Sequence, residues 1–163
     1  MNETLRLLAL ATALAASFAA GPALAQDDDD DDQPAASEPA GDAAEKPTRA
    51  SKTVPELILG AKDDQFAVNQ KDFKLIAGQG YRWKISAAGG LEYKFKTDLF
   101  RDVWMNQIVI DDLEVHMNGA PAWLEFDADG TILVQFSTVR PGIYTWSVPD
   151  LEGRGMKGTI AVK

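Results

Sequence analysis

A two-residue rhythm, repeated in short stretches, most constrains what this chain can become. Tyr81, Trp83 and Ile85 alternate with Arg82, Lys84 and Ser86, and Tyr144, Trp146 and Val148 alternate with Thr145 and Ser147. Tyr93 and Phe95 do the same among Glu92, Lys94 and Lys96. Successive strand side chains point to opposite faces, so this spacing buries one face and wets the other. Further short strands are read at residues 54–59, 66–70, 73–76, 107–110, 113–116, 123–126, 132–136 and 159–162. Pro55 confines the first of these to an edge, where a missing N–H is tolerated. Asn118-Gly119-Ala120-Pro121 and Asp127-Ala128-Asp129-Gly130 read as hairpin turns, and Asp111-Asp112 as an acidic break. Residues 97–105 are less regular and read as one short helical turn or a crossover. No long segment has a 3.6-residue period. The pattern predicts an all-β, antiparallel sandwich.

The C-terminal stretch narrows the choice. Arg140-Pro141-Gly142 is a turn, because Pro fixes φ and Gly tolerates positive φ. The Tyr144 hydroxyl, just beyond it, suits a tyrosine corner that ties turn to strand. Residues 149–155 form a loop before the last strand. This tail resembles the final strands and ligand loop of cupredoxins, the small blue-copper proteins. Their pattern is Pro-Gly-x-Tyr, an aromatic, a Cys, a His three residues later, and then Gly-Met. Tyr144, Trp146, Gly155, Met156 and Gly158 match it, while Val148 stands at the Cys position and Leu151 at the His position. The family's other His commonly precedes a Glu-aromatic pair, and here Leu91 precedes Glu92-Tyr93. The resemblance implies a cupredoxin-like Greek-key β-sandwich from which the blue-copper ligands have been removed. A thioether alone does not hold Cu(II).

Two site readings remain open. His116, Met117, Met105 and Met156 are donors suited to Cu(I), which makes copper a possible cofactor if the fold gathers them. The alternative leaves His116 on a surface strand and Met105 and Met156 as core filler. Separately, Trp104, Arg101 and Leu151 have the composition of a binding hot spot if one end of the sandwich unites them. Against that stands the ordinary placement of Trp in the core.

Composition removes several function classes. There is no cysteine and only one His, which excludes thiol chemistry and leaves hydrolase triads and multi-His centres poorly supplied. Gly153-Arg154-Gly155-Met156-Lys157-Gly158 matches a dinucleotide fingerprint by letters only, since it follows a loop and runs into a terminal strand. Asp127 and Asp129 lack the remaining ligands of a calcium loop, and Asp111, Asp112 and Glu114 read as a solvated turn. No catalytic set emerges, and the protein is read as not an enzyme.

Residues 1–25 read as a signal peptide: Arg6, an apolar run, then Ala23-Leu24-Ala25 before Gln26. Residues 26–51 carry nine acids, including six consecutive aspartates, and two bases, and read as a disordered acidic linker. Residues 52–163 are assigned to the sandwich; they hold fifteen acids and thirteen bases, so no nucleic-acid surface is expected. The expectation is an exported, periplasmic, monomeric or weakly associating protein with no membrane span after signal cleavage. Its partner would be a periplasmic protein or a metal ion.

Overall fold

The structure, a computed structural model, describes residues 45–163. The signal-peptide expectation and most of the acidic linker lie outside the described residues. Among the described residues, ten strands form two five-stranded sheets. They are β1 (Lys52–Leu59), β2 (Asp72–Leu75), β3 (Gly80–Ala87), β4 (Tyr93–Thr97), β5 (Val103–Ile110), β6 (Leu113–His116), β7 (Leu124–Phe126), β8 (Gly130–Thr138), β9 (Gly142–Ser147) and β10 (Lys157–Val162). One sheet has the order β1-β3-β8-β5-β6, the other β2-β10-β9-β4-β7.

The expected sandwich is present, with three local corrections. Both sheets are mixed, because β1 runs parallel to β3 and β2 parallel to β10. The chain crosses from one sheet to the other between β1 and β2, so these neighbours in sequence do not pair. The two glycine turns read as hairpins are also crossovers: β6 and β8 lie in one sheet, while β7 between them pairs with β4 in the other. The actual tight hairpin is β5–β6 through Asp111 and Asp112, both at positive φ. Residues 66–70 contribute only a bridge, Val68 to Leu59. The irregular stretch after β4 is a 3₁₀ turn, Asp98–Asp102, capped by the Thr97 hydroxyl, which accepts from Leu99 N.

Alternation fills the core as the sequence predicts. Tyr81, Trp83 and Ile85 of β3 face Phe95 of β4 and Tyr144 and Trp146 of β9 across the sandwich, all buried. Aromatic rings link the sheets, Phe73 to Trp83 at 4.9 Å and Trp83 to Phe95 at 5.7 Å edge-on, and within the second sheet Phe95 stacks on Trp146 at 6.0 Å. Such pairs add specificity to the area they bury. Both buried indoles bond to backbone carbonyls, Trp83 to Pro55 at 3.1 Å and Trp146 to Lys71 at 2.8 Å. The Trp83 bond meets β1 at its bulge between Val54 and Leu57, where Pro55 interrupts the pairing.

Two ends result. At one, called here the loop end, the β3–β4 loop, the Asp111–Asp112 turn, the β7–β8 turn and the segment between β9 and β10 gather. At the far end lie the start of β1, the β2–β3 turn and the Arg140 turn. The Tyr144 hydroxyl donates to Arg140 O at 3.1 Å, the tyrosine corner expected there.

Candidate functional site

At the loop end, β9 runs through Val148 into a 3₁₀ turn, Pro149–Arg154. Pro149 suits the first turn, having no N–H to satisfy. Gly155 ends the turn at φ 90°, a conformation that favours glycine, and its N–H donates to Glu152 O at 3.0 Å. The chain then doubles back: Val148 N–H donates to Met156 O at 2.9 Å, Leu151 N–H to Val148 O at 2.8 Å, and Met156 N–H to Leu151 O at 3.4 Å. This knot buries Val148 and Met156 and leaves Leu151 half-buried. Leu91, on the β3–β4 loop, comes to the same place. Leu91, Val148 and Leu151 line one hollow of about 340 Å³ with Glu92, Lys94 and Asp150.

Tyr93 anchors the floor of this end. Its fully buried ring passes between Gly60 and Gly89, and its hydroxyl donates to Gln65 O at 2.8 Å. A Cβ on either glycine would lie 2.2 Å or 2.0 Å from that oxygen, so both positions require glycine for space. Burial raises the Tyr93 pKa, with the nearby Asp129 carboxylate acting in the same direction. Arg154 reaches over the Phe66 ring at 4.7 Å and ties the β1–β2 loop to the turn.

The rim is charged. Glu92, Glu125 and Asp127 bring carboxylate oxygens within 4.8 Å of one another. The Glu125 pKa is lowered chiefly by the Trp123 indole N–H, which donates at 2.7 Å; Glu92 and the Lys94 ammonium at 3.7 Å act in the same direction, against partial desolvation. Lys94 also sits 5.4 Å from the Trp123 ring centre. Asp129 accepts from Gly90 N at 3.0 Å, joining the β7–β8 turn to the β3–β4 loop. Strand alternation alone gave no signal for this rim, because Lys94, Trp123 and Glu125 come from two strands paired only by a crossover.

The other predicted residues are dispersed. Met105 is buried on the inner face of β5, opposite Phe136. His116 is exposed on the outer face of β6 opposite Gln107, with its Nε2 3.3 Å from Glu114. Met117 follows β6 and is partly buried. Met156 directly precedes β10 of the other sheet, at the loop end. The sheet therefore separates Met105 from His116, and Met156 is remote from both levels. Trp104 is 71% exposed and pairs with Ser137, near the far end. Ser137 lies seven residues along β8 from Gly130 at the loop end, about 24 Å of strand. Arg101 stays with Trp104 at that far side, its guanidinium 3.9 Å from Asp98. Leu151 is at the opposite end, so the three do not form one patch.

No protein-family model matches the chain, and no curated protein matches it in sequence. Solved structures do match its fold. A multicopper oxidase from Campylobacter jejuni, described as a metallo-oxidase, is 13% identical, with a TM-score of 0.52 over 72% of this chain and 31% of its own. A multicopper oxidase from Pediococcus acidilactici is 14% identical, with a TM-score of 0.52 over 74% of this chain and 28% of its own. The McoA multicopper oxidase of the hyperthermophile Aquifex aeolicus is 12% identical, with a TM-score of 0.52 over 73% of this chain and 31% of its own. This chain has a cupredoxin-like fold.

The chain spans less than a third of the length of those oxidases. At such identities the likeness concerns the cupredoxin-like fold alone. The copper that the fold family implies is tested by the donors present. Leu91, Val148 and Leu151 offer no lone pair, and Met156 offers one weak thioether. Type-1 copper needs two imidazoles and a thiolate in addition. The residues of this hollow do not fit it.

Proposed function

We propose that this is an exported, periplasmic, non-enzymatic interaction domain that binds a partner through the loop end of its cupredoxin-like fold. One observation supports the reading above all others: Leu91, Val148 and Leu151, which stand where the resemblance puts metal ligands, are aliphatic and line a single hollow. An aliphatic hollow with a few charged groups at its edge suits an apolar side chain of a partner protein. Glu92 and Asp150 beside the hollow favour a basic group next to that side chain, with Lys94 limiting how many such groups fit. Export is inferred from the N-terminal segment, and no helix among the described residues is long and apolar enough to cross a membrane.

A copper-handling role through His116, Met105, Met117 and Met156 has no comparable support, since the fold does not converge them. The test is capture from a periplasmic extract in metal-free buffer, with the full chain and its Leu151→Lys variant as baits. The expected result is a partner retained by the parent chain and lost, by roughly tenfold or more, with the variant. Equal retention by both baits contradicts the loop-end site.

A further inference from the structure

Among the described residues, β6 is the least guarded of the four sheet edges. At the other edge of its sheet, β1 carries Pro55 and a bulge. In the second sheet, β7 is three residues long and β2 places Lys74 between its buried residues. Prolines, bulges, short lengths and lysines are the usual means by which sheets avoid edge-to-edge pairing. β6 has neither proline, lysine nor bulge, and it exposes Leu113 (72%) and Val115 (51%) beside Ile110 (42%).

The hairpin decides which of its backbone groups are free. Asp111 and Asp112, with φ of 47° and 63°, form a two-residue turn of the I′ kind between Ile110 and Leu113. Ile110 and Leu113 are then a hydrogen-bonded pair, and pair types alternate from there. Val115 faces Ile108 in the next bonded pair, whereas Glu114 and His116 face Val109 and Gln107 in non-bonded ones. The N–H and C=O groups of Glu114 and His116 therefore point away from β5, toward the open edge.

We propose that a second copy of this chain pairs antiparallel with this edge, about a two-fold axis through Val115. Charge complementarity selects the register. One alternative sets Glu114 against the partner's Glu114 and opposes carboxylates; another sets His116 against the partner's His116, opposes two imidazoles and leaves each Glu114 only the His116 of its own chain, 3.3 Å away. The register centred on Val115 puts Glu114 against the partner's His116 at both ends, each such pair exchanging both backbone bonds. On the same face, Gln107 Nε2 of β5 donates to Glu114 Oε1 at 3.0 Å, and Glu114 Oε2 lies 3.3 Å from His116 Nε2. On the opposite face Val115 meets the partner's Val115, and Leu113 meets the partner's Met117. A contact of this size buries less than the roughly 1,200 Å² of a standard stable interface, so the dimer is weak and concentration-dependent. It uses none of the residues of the loop-end hollow and stands apart from the function proposed for it.

The absence of cysteine makes the register directly readable. Non-bonded antiparallel partners hold Cα atoms ~4.5 Å apart, within disulfide reach. In the full chain, Val115→Cys under mild oxidation is expected to form a covalent dimer at least roughly tenfold faster than Ile143→Cys, a similarly exposed strand position on β9. Adding His116→Glu to the Val115→Cys chain slows that cross-linking by roughly tenfold, and adding Glu114→His as well restores it, because each His again faces a Glu. Circular dichroism melts confirm that each variant folds. Cross-linking of Val115→Cys no faster than that of Ile143→Cys, or indifferent to His116→Glu, overturns the proposal.

Discussion

At the far end of the sandwich Gln79 is fully buried, and each polar atom of its side chain is bonded. Its Oε1 accepts from Thr48 N at 2.7 Å and Thr48 Oγ1 at 3.2 Å, and its Nε2 donates to Ala50 O at 2.7 Å and Gly80 O at 2.9 Å. Beside it, Thr138 Oγ1 donates to Ile76 O at 2.5 Å, and the Tyr81 hydroxyl accepts from Ile76 N at 2.9 Å. At the loop end, Leu91, Val148 and Leu151 come together through apolar contact, backbone bonds and the single side-chain bond from Gly90 N to Asp129. The two closures respond differently to change. A directional polar plug weakens when one partner is removed, because fully buried Gln79 and half-buried Gly80 cannot replace it with water as the exposed Thr48 and Ala50 can. An apolar surface accepts a substitution if volume and polarity are respected. The contrast explains how the loop end can carry aliphatic residues while the sandwich beneath it stays intact.

The largest expected effect probes the floor of the loop end rather than its surface. Gly89→Ala places a Cβ 2.0 Å from the Tyr93 hydroxyl and 2.9 Å from Gly60 Cα, and is expected to cost about 3 kcal/mol or more in urea unfolding. A neutral result would show that this end is pliable throughout, and the contrast would fail. Next, Gln79→Leu leaves the amide of Thr48 and the carbonyls of Ala50 and Gly80 without their side-chain partner, at a cost of about 2 kcal/mol in the same assay.

Tyr93→Phe, which removes one bond at the loop end, is expected to cost about 1 kcal/mol. It also carries a pH signature. Burial raises the pKa of Tyr81, Tyr93 and Tyr144 in the folded state, which favours the neutral phenol. That stability is fully present below the unfolded value of about 10 and is lost as pH rises through the folded values. Alkaline titration of stability should therefore decline above pH ~10 and be shallower in Tyr93→Phe. The smallest effect is expected at the surface: Leu151→Lys should change stability by less than about 1 kcal/mol while abolishing partner capture. A large loss of stability there would make the hollow part of the core.

Much of the frame was legible because alternation in β3, β4 and β9 is governed by local geometry: Tyr81, Trp83, Ile85, Tyr93, Phe95, Tyr144 and Trp146 all turn inward as their spacing predicts. The convergence of Leu91, Val148 and Leu151 was legible only through resemblance, since no period relates a loop residue to positions almost sixty residues later. The crossovers at 117–123 and 127–129 were misread as hairpins because glycine and proline fix a turn without stating which sheet the next strand joins. Conversely, the true hairpin at Asp111-Asp112 lacks glycine and carries its positive φ on aspartates, which tolerate it. Trp104 was unreadable for a different reason: inward and outward positions on β5 are reset by the irregularity between Met105 and Gln107.

The central claim is that this cupredoxin-like sandwich stands without the imidazole and thiolate ligands of type-1 copper at its loop end. The direct measurement is the thermal melt of the chelator-treated full chain, with and without one equivalent of copper. The account predicts melting temperatures within about 1 °C of each other, since copper held equally weakly by carboxylates of the folded and unfolded chain shifts nothing. A rise of several degrees on adding copper would contradict it.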